Sequence, residues 1–109
     1  MRVQQDLSYQ TEPKDQKRCL DLYIPDKCTR ANRFIAFVHG GAWISNDRAD
    51  FAFLGEDLAR RGFIVALMGY RLTNSKVTPL NAYPVPVQDV ADGLESLAKH
   101  CSDVWLFLI

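Results

Sequence analysis

Hydrophobic residues form four short clusters separated by polar segments. Residues 19–24 (CLDLYI) alternate between aliphatic side chains and a Cys/Asp/Tyr set, the period of a strand with one polar face. Residues 34–38 (FIAFV), 63–68 (FIVALM) and 104–109 (VWLFLI) are unbroken apolar runs. Such runs are typical of strands that are covered on both faces, as in a parallel sheet. The pattern therefore predicts four strands, three of them buried.

Two segments between these clusters have helical spacing instead. Phe51, Leu54 and Leu58 lie on one helical face, and Gly62 provides a stop signal. A longer helix follows, with Pro86 suited to its first turn. Its apolar stripe has a period of 3.6 residues and consists of Val87, Val90, Ala91, Leu94, Leu97, Ala98 and Cys101. The alternation of strands and helices predicts a right-handed, doubly wound α/β sheet.

Composition narrows the class of protein. The 109 residues have a formal net charge of zero, with 48% hydrophobic and 24% charged residues, as in an ordinary globular domain. The absence of a basic cluster argues against nucleic acid as the main ligand. No apolar segment resembles a signal peptide or reaches the roughly 20 residues of a membrane span. We expect a polar N-terminal segment at 1–17, forming a first strand or loop, and a partial α/β domain at 18–109.

Cysteine and histidine usage points to a reducing compartment. Three cysteines without a CxxC pair, together with two histidines, exclude a disulfide scaffold and a zinc ribbon. We therefore expect a cytoplasmic protein whose cysteines are incidental thiols.

The most informative segment is HGGAW, directly after the first buried strand. Adjacent glycines allow a sharp turn that brings backbone N–H groups together above the sheet. Convergent N–H donors stabilise the oxyanion of an acyl-transfer intermediate. A glycine-rich turn without a ligand is the simpler alternative. A phosphate loop, and with it a small nucleotide-binding domain, is disfavoured because neither GxGxxG nor GxxxxGK[ST] occurs.

Taken together, the motifs resemble the N-terminal part of an α/β-hydrolase. They appear in the family order over residues 18–109: DLYIP, FIAFVHGGAW, an amphipathic helix, FIVALMGYRLT and YPVPVQDVADGLESL. The resemblance is to hormone-sensitive-lipase-like carboxylesterases and kynurenine formamidases. It implies a mostly parallel, doubly wound sheet and a small ester or aryl-formamide substrate, without a metal or organic cofactor. It leaves open which substrate class applies and which oligomeric state the protein has.

The resemblance also assigns roles to the HGGAW loop. Gly41 and Ala42 would donate the N–H groups of the oxyanion hole, and His39 and Gly40 would shape the loop. Trp43 would cover the substrate pocket or pack beside it.

Two further motif positions suggest a contact. Residues 70–72 (YRL) and the 83–84 (YP) start of the second helix match the family pattern, with Asp89 inside that helix. Asp89, in an early turn, interacts favourably with the helix dipole, and we hypothesise that it also forms an ion pair with Arg71. His100 would be a solvated cation at the end of the helix.

A nucleophile elbow is missing from the sequence. No Gly-x-Ser-x-Gly occurs in the 109 residues, and in the family the acid and the histidine follow the serine. We therefore expect a chain truncated just before the elbow, with none of the triad present and inactive by itself. The alternative is a non-catalytic interaction module that docks through its unfinished sheet edge, which should be soluble and cooperatively folded.

Overall fold

A computed structural model of the chain describes residues 1–10, 15–28, 32–40, 46–73, 81–98 and 104–108. Five strands and two α-helices are found there. The strands are β1 (Arg2–Ser8), β2 (Cys19–Ile24), β3 (Phe34–Val38), β4 (Ile64–Met68) and β5 (Val104–Leu108), and the helices are α1 (Ala52–Arg60) and α2 (Val85–Ala98). Two 3-10 helical turns, Gln16–Arg18 and Arg48–Phe51, precede β2 and α1.

The described strands form one sheet in the order β1-β2-β4-β3-β5. β2 is antiparallel to both β1 and β4, whereas β3 is parallel to β4 and to β5. All described strands except β2 therefore run in the same direction, which confirms the mostly parallel sheet. Because β3, β4 and β5 are parallel neighbours, their carboxyl ends lie at one edge of the sheet, where ligands bind in open α/β folds.

Each face of the sheet packs against one helix. Val90 and Leu97 of α2 join one core cluster, with strand residues Leu20, Phe34, Ala36, Val38, Ala66 and Met68. Ala59 of α1 joins the opposite cluster, with Tyr23, Phe37, Val65 and Leu67. These two layers confirm the doubly wound arrangement, and β3 is buried along its whole length, as its unbroken apolar run predicts.

The prediction of a solvent-facing polar side for β2 is wrong. Cys19, Asp21 and Tyr23 are all buried, with 0%, 4% and 3% of their surface exposed. Helix α1 covers Tyr23 so closely that a Cβ on Gly55 would lie 2.7 Å from a carbon of the tyrosine ring. Asp21 tolerates burial because an arginine pairs with it, as described below. The alternating pattern therefore predicted the strand correctly, but not the burial of its second face.

Among the residues that the structure describes, no helix has both the length and the apolar character needed to cross a bilayer.

Candidate functional site

The site begins where β3 ends, at His39. The side chain is 3% exposed and its ring stacks on that of Tyr70, with 4.4 Å between ring centroids. The Tyr70 hydroxyl donates to the His39 carbonyl oxygen at 2.7 Å and lies 3.1 Å from Nδ1. His39 Nδ1 is also 2.9 Å from the carbonyl oxygen of Gly40. Because a carbonyl can only accept, this contact assigns the imidazole proton to Nδ1.

A second contact ties the loop that leaves the sheet here. The Asn46 side-chain amide donates to the Gly40 carbonyl oxygen at 3.0 Å. Asn46 has a φ of 71°, a left-handed conformation that asparagine tolerates better than most residues. The contact joins Gly40 to Asn46, the described residues on either side of residues 41–45. The expected oxyanion donors Gly41 and Ala42 fall among residues 41–45, as does Trp43, and all three lie outside the described residues. His100 also lies outside the described residues.

Burial shifts the acid–base behaviour of the pair beside the loop. It lowers the pKa of His39, although the Gly40 carbonyl and the charges of Asp47 and Asp50 act in the opposite direction. Burial also raises the pKa of Tyr70 to about 12. Both side chains are therefore neutral at pH 7, which suits a structural pair better than an acid–base pair.

The pKa of His39 predicts how stability depends on pH. Its folded-state pKa lies below the unfolded value of 6.5, so the unfolded chain binds more protons as the pH falls. The stabilisation is complete above about pH 6.5 and is lost progressively below it. The free energy of unfolding in urea should differ less between pH 8 and pH 5 for His39→Gln than for the original chain. His100→Gln, the matched control, should leave that difference unchanged; an equal effect of both variants would contradict the assignment.

The hypothesised ion pair between Asp89 and Arg71 is confirmed. The Asp89 side chain is fully buried, and its two oxygens accept from Arg71 Nε and Nη2, each at 2.8 Å. The backbone N–H of Arg71 also donates to Asp89 Oδ2, at 2.9 Å. Since α2 begins at Val85, Asp89 lies beyond its first turn, and the interaction with the helix dipole is not its main role. The pair instead joins α2 to the segment that follows β4.

Sequence reasoning missed Arg18, which extends this cluster. Its Nε lies 3.4 Å from Asp89 Oδ1, and its Nη2 donates to Gln10 Oε1 at 2.6 Å. Tyr9, nearby, donates its hydroxyl to the Gly69 carbonyl at 2.8 Å, and burial together with the Asp89 charge raises its pKa. The polar segment before β2 is therefore bound to the carboxyl end of β4. A weak signal was available, since Arg18 directly precedes the β2 strand pattern.

Within the described part of the chain, no group of three or more His, Cys, Asp or Glu side chains is arranged to hold a metal ion.

Comparison with known proteins finds relatives of this chain that are named as esterases. The BD-FAE family profile matches residues 20–105. A probable isoprenylcysteine alpha-carbonyl methylesterase of Arabidopsis thaliana is 32% identical over 93% of this chain and 20% of its own length. A probable enzyme of the same name from Oryza sativa subsp. japonica is 38% identical over 84% of this chain, again with 20% of its own length covered. The chain thus spans about a fifth of the length of these curated relatives.

Solved structures agree on the fold. Esterase B of Lactobacillus rhamnosis superposes with a TM-score of 0.77 and 26% identity, covering 98% of this chain and 34% of that enzyme. A bacterial heroin esterase gives a TM-score of 0.72 with 98% of this chain and 34% of its own length covered, and at 20% identity it supports the fold alone. Since the family profile covers most of the chain and the sheet is that of these enzymes, the protein belongs to the BD-FAE family and has the α/β-hydrolase fold of esterases.

Proposed function

We propose that this chain supplies the oxyanion-loop part of a serine hydrolase that acts on carboxylic esters. The observation that carries the proposal is the pairing of β5 with β3. The two strands are parallel and adjacent, with Leu108 opposite Val38. A nucleophile on the residues that follow β5 would therefore lie at the same sheet edge as the loop that begins at His39.

The proposed reaction follows from that placement. A serine outside these residues attacks the ester carbonyl while a histidine, also outside them, accepts its proton. The carbonyl oxygen becomes an oxyanion, which the N–H groups of Gly41 and Ala42 stabilise. Collapse breaks the bond to the alkoxide, which takes the proton from the histidine and leaves as the alcohol, and the resulting acyl-enzyme is hydrolysed by water through the same steps. His39 and Gly40 set the start of the loop, and Trp43 borders the substrate.

The neutral, buried His39 supports this division of roles. Its Nδ1 proton is directed at the Gly40 carbonyl, and its ring stacks with those of Tyr70 and Phe51, whose centroids are 4.4 Å and 6.0 Å away. A general base needs access to the group it deprotonates. His39 is therefore assigned to the loop scaffold and not to the triad.

Esters are favoured over aryl-formamides as the substrate class because the relatives named above are esterases. Aryl-formamides, such as N-formylkynurenine, remain the second substrate class, since the same oxyanion hole serves an amide carbonyl. A cytoplasmic location also belongs to this proposal and rests on cysteine usage alone.

A chimeric enzyme tests the proposal. In it, this chain replaces the superposable segment of Lactobacillus rhamnosis esterase B, so that the host supplies the nucleophile. We expect the chimera to hydrolyse p-nitrophenyl butyrate and to react with the tributyrin phosphonate used on esterase B. Ala42→Pro, which removes one N–H donor, should lower kcat about a hundredfold or more.

Two controls make the result interpretable. Ala42→Gly keeps the N–H group and should retain most of the activity. The 109-residue chain by itself should not react with the phosphonate. A folded chimera without esterase activity, or an Ala42→Pro variant as active as Ala42→Gly, would contradict the proposal. Cooperative folding of the isolated chain together with an inactive chimera would favour the interaction module.

A further inference from the structure

We propose that Arg48 is a positioning residue that holds the far end of the oxyanion loop in place. The inference rests on the proposed function, because it concerns the geometry of the same loop. Arg48 lies directly after Asn46 and Asp47, on the C-terminal side of the loop. Its side chain is only 6% exposed, which is unusual for an arginine at the start of a 3-10 turn.

Every nitrogen of the Arg48 guanidinium has an acceptor on a different part of the fold. Nε donates to Asp21 Oδ1 in β2 at 3.0 Å, and Nη1 donates to the Gln16 carbonyl at 2.6 Å. Nη2 donates to Asp6 Oδ1 in β1. A planar guanidinium held at three points cannot rotate or slide without breaking a charge-assisted hydrogen bond. The residue is therefore fixed relative to the sheet.

The strand that carries Asp6 is irregular at this point. The pairing of β1 with β2 shifts register between Gln4 and Leu7, and Asp6 has a φ of 58°. Such an irregularity redirects a side chain that regular pleating would place elsewhere. The backbone N–H of Asp6 also donates to Asp21 Oδ1 at 2.9 Å, so both carboxylates belong to one cluster with Arg48.

A short, rigid segment connects this anchor to the loop. The Asp47 N–H donates to Asp50 Oδ2 at 2.9 Å, and the Asp50 N–H donates to the Asp47 carbonyl at 3.0 Å. Asn46 in turn binds Gly40, which is fixed by His39. The described residues that flank the loop, Gly40 and Asn46, are thus bound to each other and lie next to His39 on one side and Arg48 on the other. An oxyanion hole depends on the exact direction of its N–H groups, so a mobile end should weaken catalysis.

Hydrogen exchange on the 109-residue chain provides the first test. Arg48→Met should raise exchange about tenfold or more in a peptide covering 39–51, while a peptide covering 85–97 stays unchanged. Arg60→Met is the matched control, because Arg60 is 68% exposed in its surface pair with Glu56. Asp6→Asn is the milder second variant; it removes only the half-exposed acceptor and should raise exchange in the same peptide, but less.

Kinetics in the chimera described above provide the second test. Arg48→Met should lower kcat roughly tenfold to a hundredfold with KM changed less than twofold, because misdirected donors affect the transition state more than substrate binding. Arg48→Lys restores one charge but not three fixed hydrogen bonds, and should rescue kcat only partly.

The outcomes separate the two proposals. Unchanged exchange, or exchange that rises equally in all peptides, would overturn the anchoring role whatever the kinetics show. A local rise in exchange with unchanged kcat in an active chimera would keep the anchor and overturn the loop as the oxyanion hole. If the parent chimera is folded but inactive, the proposed function fails, and exchange alone still decides the anchoring role of Arg48.

Discussion

Replacing Asp89 by asparagine is expected to lower the free energy of unfolding of the chain by about 3–5 kcal/mol. The carboxylate is completely buried and accepts three hydrogen bonds from Arg71, with Arg18 Nε 3.4 Å away. An amide of nearly the same shape presents one acceptor oxygen and an NH₂ group, which faces the arginine donors. The substitution therefore leaves the Arg71 guanidinium without its counter-charge in a poorly solvated region, and it removes the nearer of two carboxylates from Arg18.

Urea denaturation of Asp89→Asn beside Asp92→Asn measures this effect. Asp92 lies one turn further along α2, is 47% exposed, and is 3.8 Å from Arg18. Because exposed ion pairs contribute little, Asp92→Asn should change the free energy of unfolding by less than about 0.5 kcal/mol. Similar small losses in both variants would mean that the buried pair does not join α2 to the sheet.

The apolar runs predicted β3 and β4 from sequence because burial on both faces leaves an unmistakable pattern. The Asp89–Arg71 pair was also anticipated, because the YRL motif and the helix that begins at YP suggested a contact between these two residues. The burial of the second face of β2 could not be anticipated. Its Asp21 looked like a solvent-facing residue, and its burial is explained by contacts with Arg48, 27 positions along the chain, and with the Asp6 N–H in the neighbouring strand. Long-range pairs of this kind leave no periodic signal in a single sequence.

The candidate site, too, could be predicted from the sequence only in part. The glycines of HGGAW identify a loop by local backbone chemistry, so residues 39–43 could be singled out from sequence. The contacts that hold its described ends come from Tyr70, Asn46 and Arg48, none of which belongs to the motif. Tyr70 was noted only as part of YRL, although its hydroxyl is what fixes the His39 carbonyl. Support for a loop depends on tertiary geometry, which the motif does not encode.

Gly69→Ala should cost about 3 kcal/mol or more, because three parts of the fold meet at this glycine. A Cβ there would lie 2.6 Å from the Lys17 carbonyl oxygen, 2.7 Å from that of Cys19 and 2.9 Å from Arg48 Nη1. Two of these neighbours are backbone atoms, which cannot move aside as the end of a flexible side chain can. Shifting them would also strain the hydrogen bond from the Gly69 N–H to the Cys19 carbonyl, 2.8 Å long.

Gly93→Ala is the informative comparison for Gly69→Ala. A Cβ on Gly93 would also clash, but with the terminal methyl of Met68, a flexible group that can rotate away. Alanine additionally favours the helix by about 1 kcal/mol over glycine, so the net change in free energy of unfolding should stay within about 1 kcal/mol. Urea unfolding of both variants distinguishes rigid from yielding contacts. If Gly69→Ala lowered the free energy of unfolding as little as Gly93→Ala, the contact between β2 and the end of β4 would have to be looser than the distances indicate. The close contact of Arg48 with this region, on which its anchoring role depends, would then be in doubt.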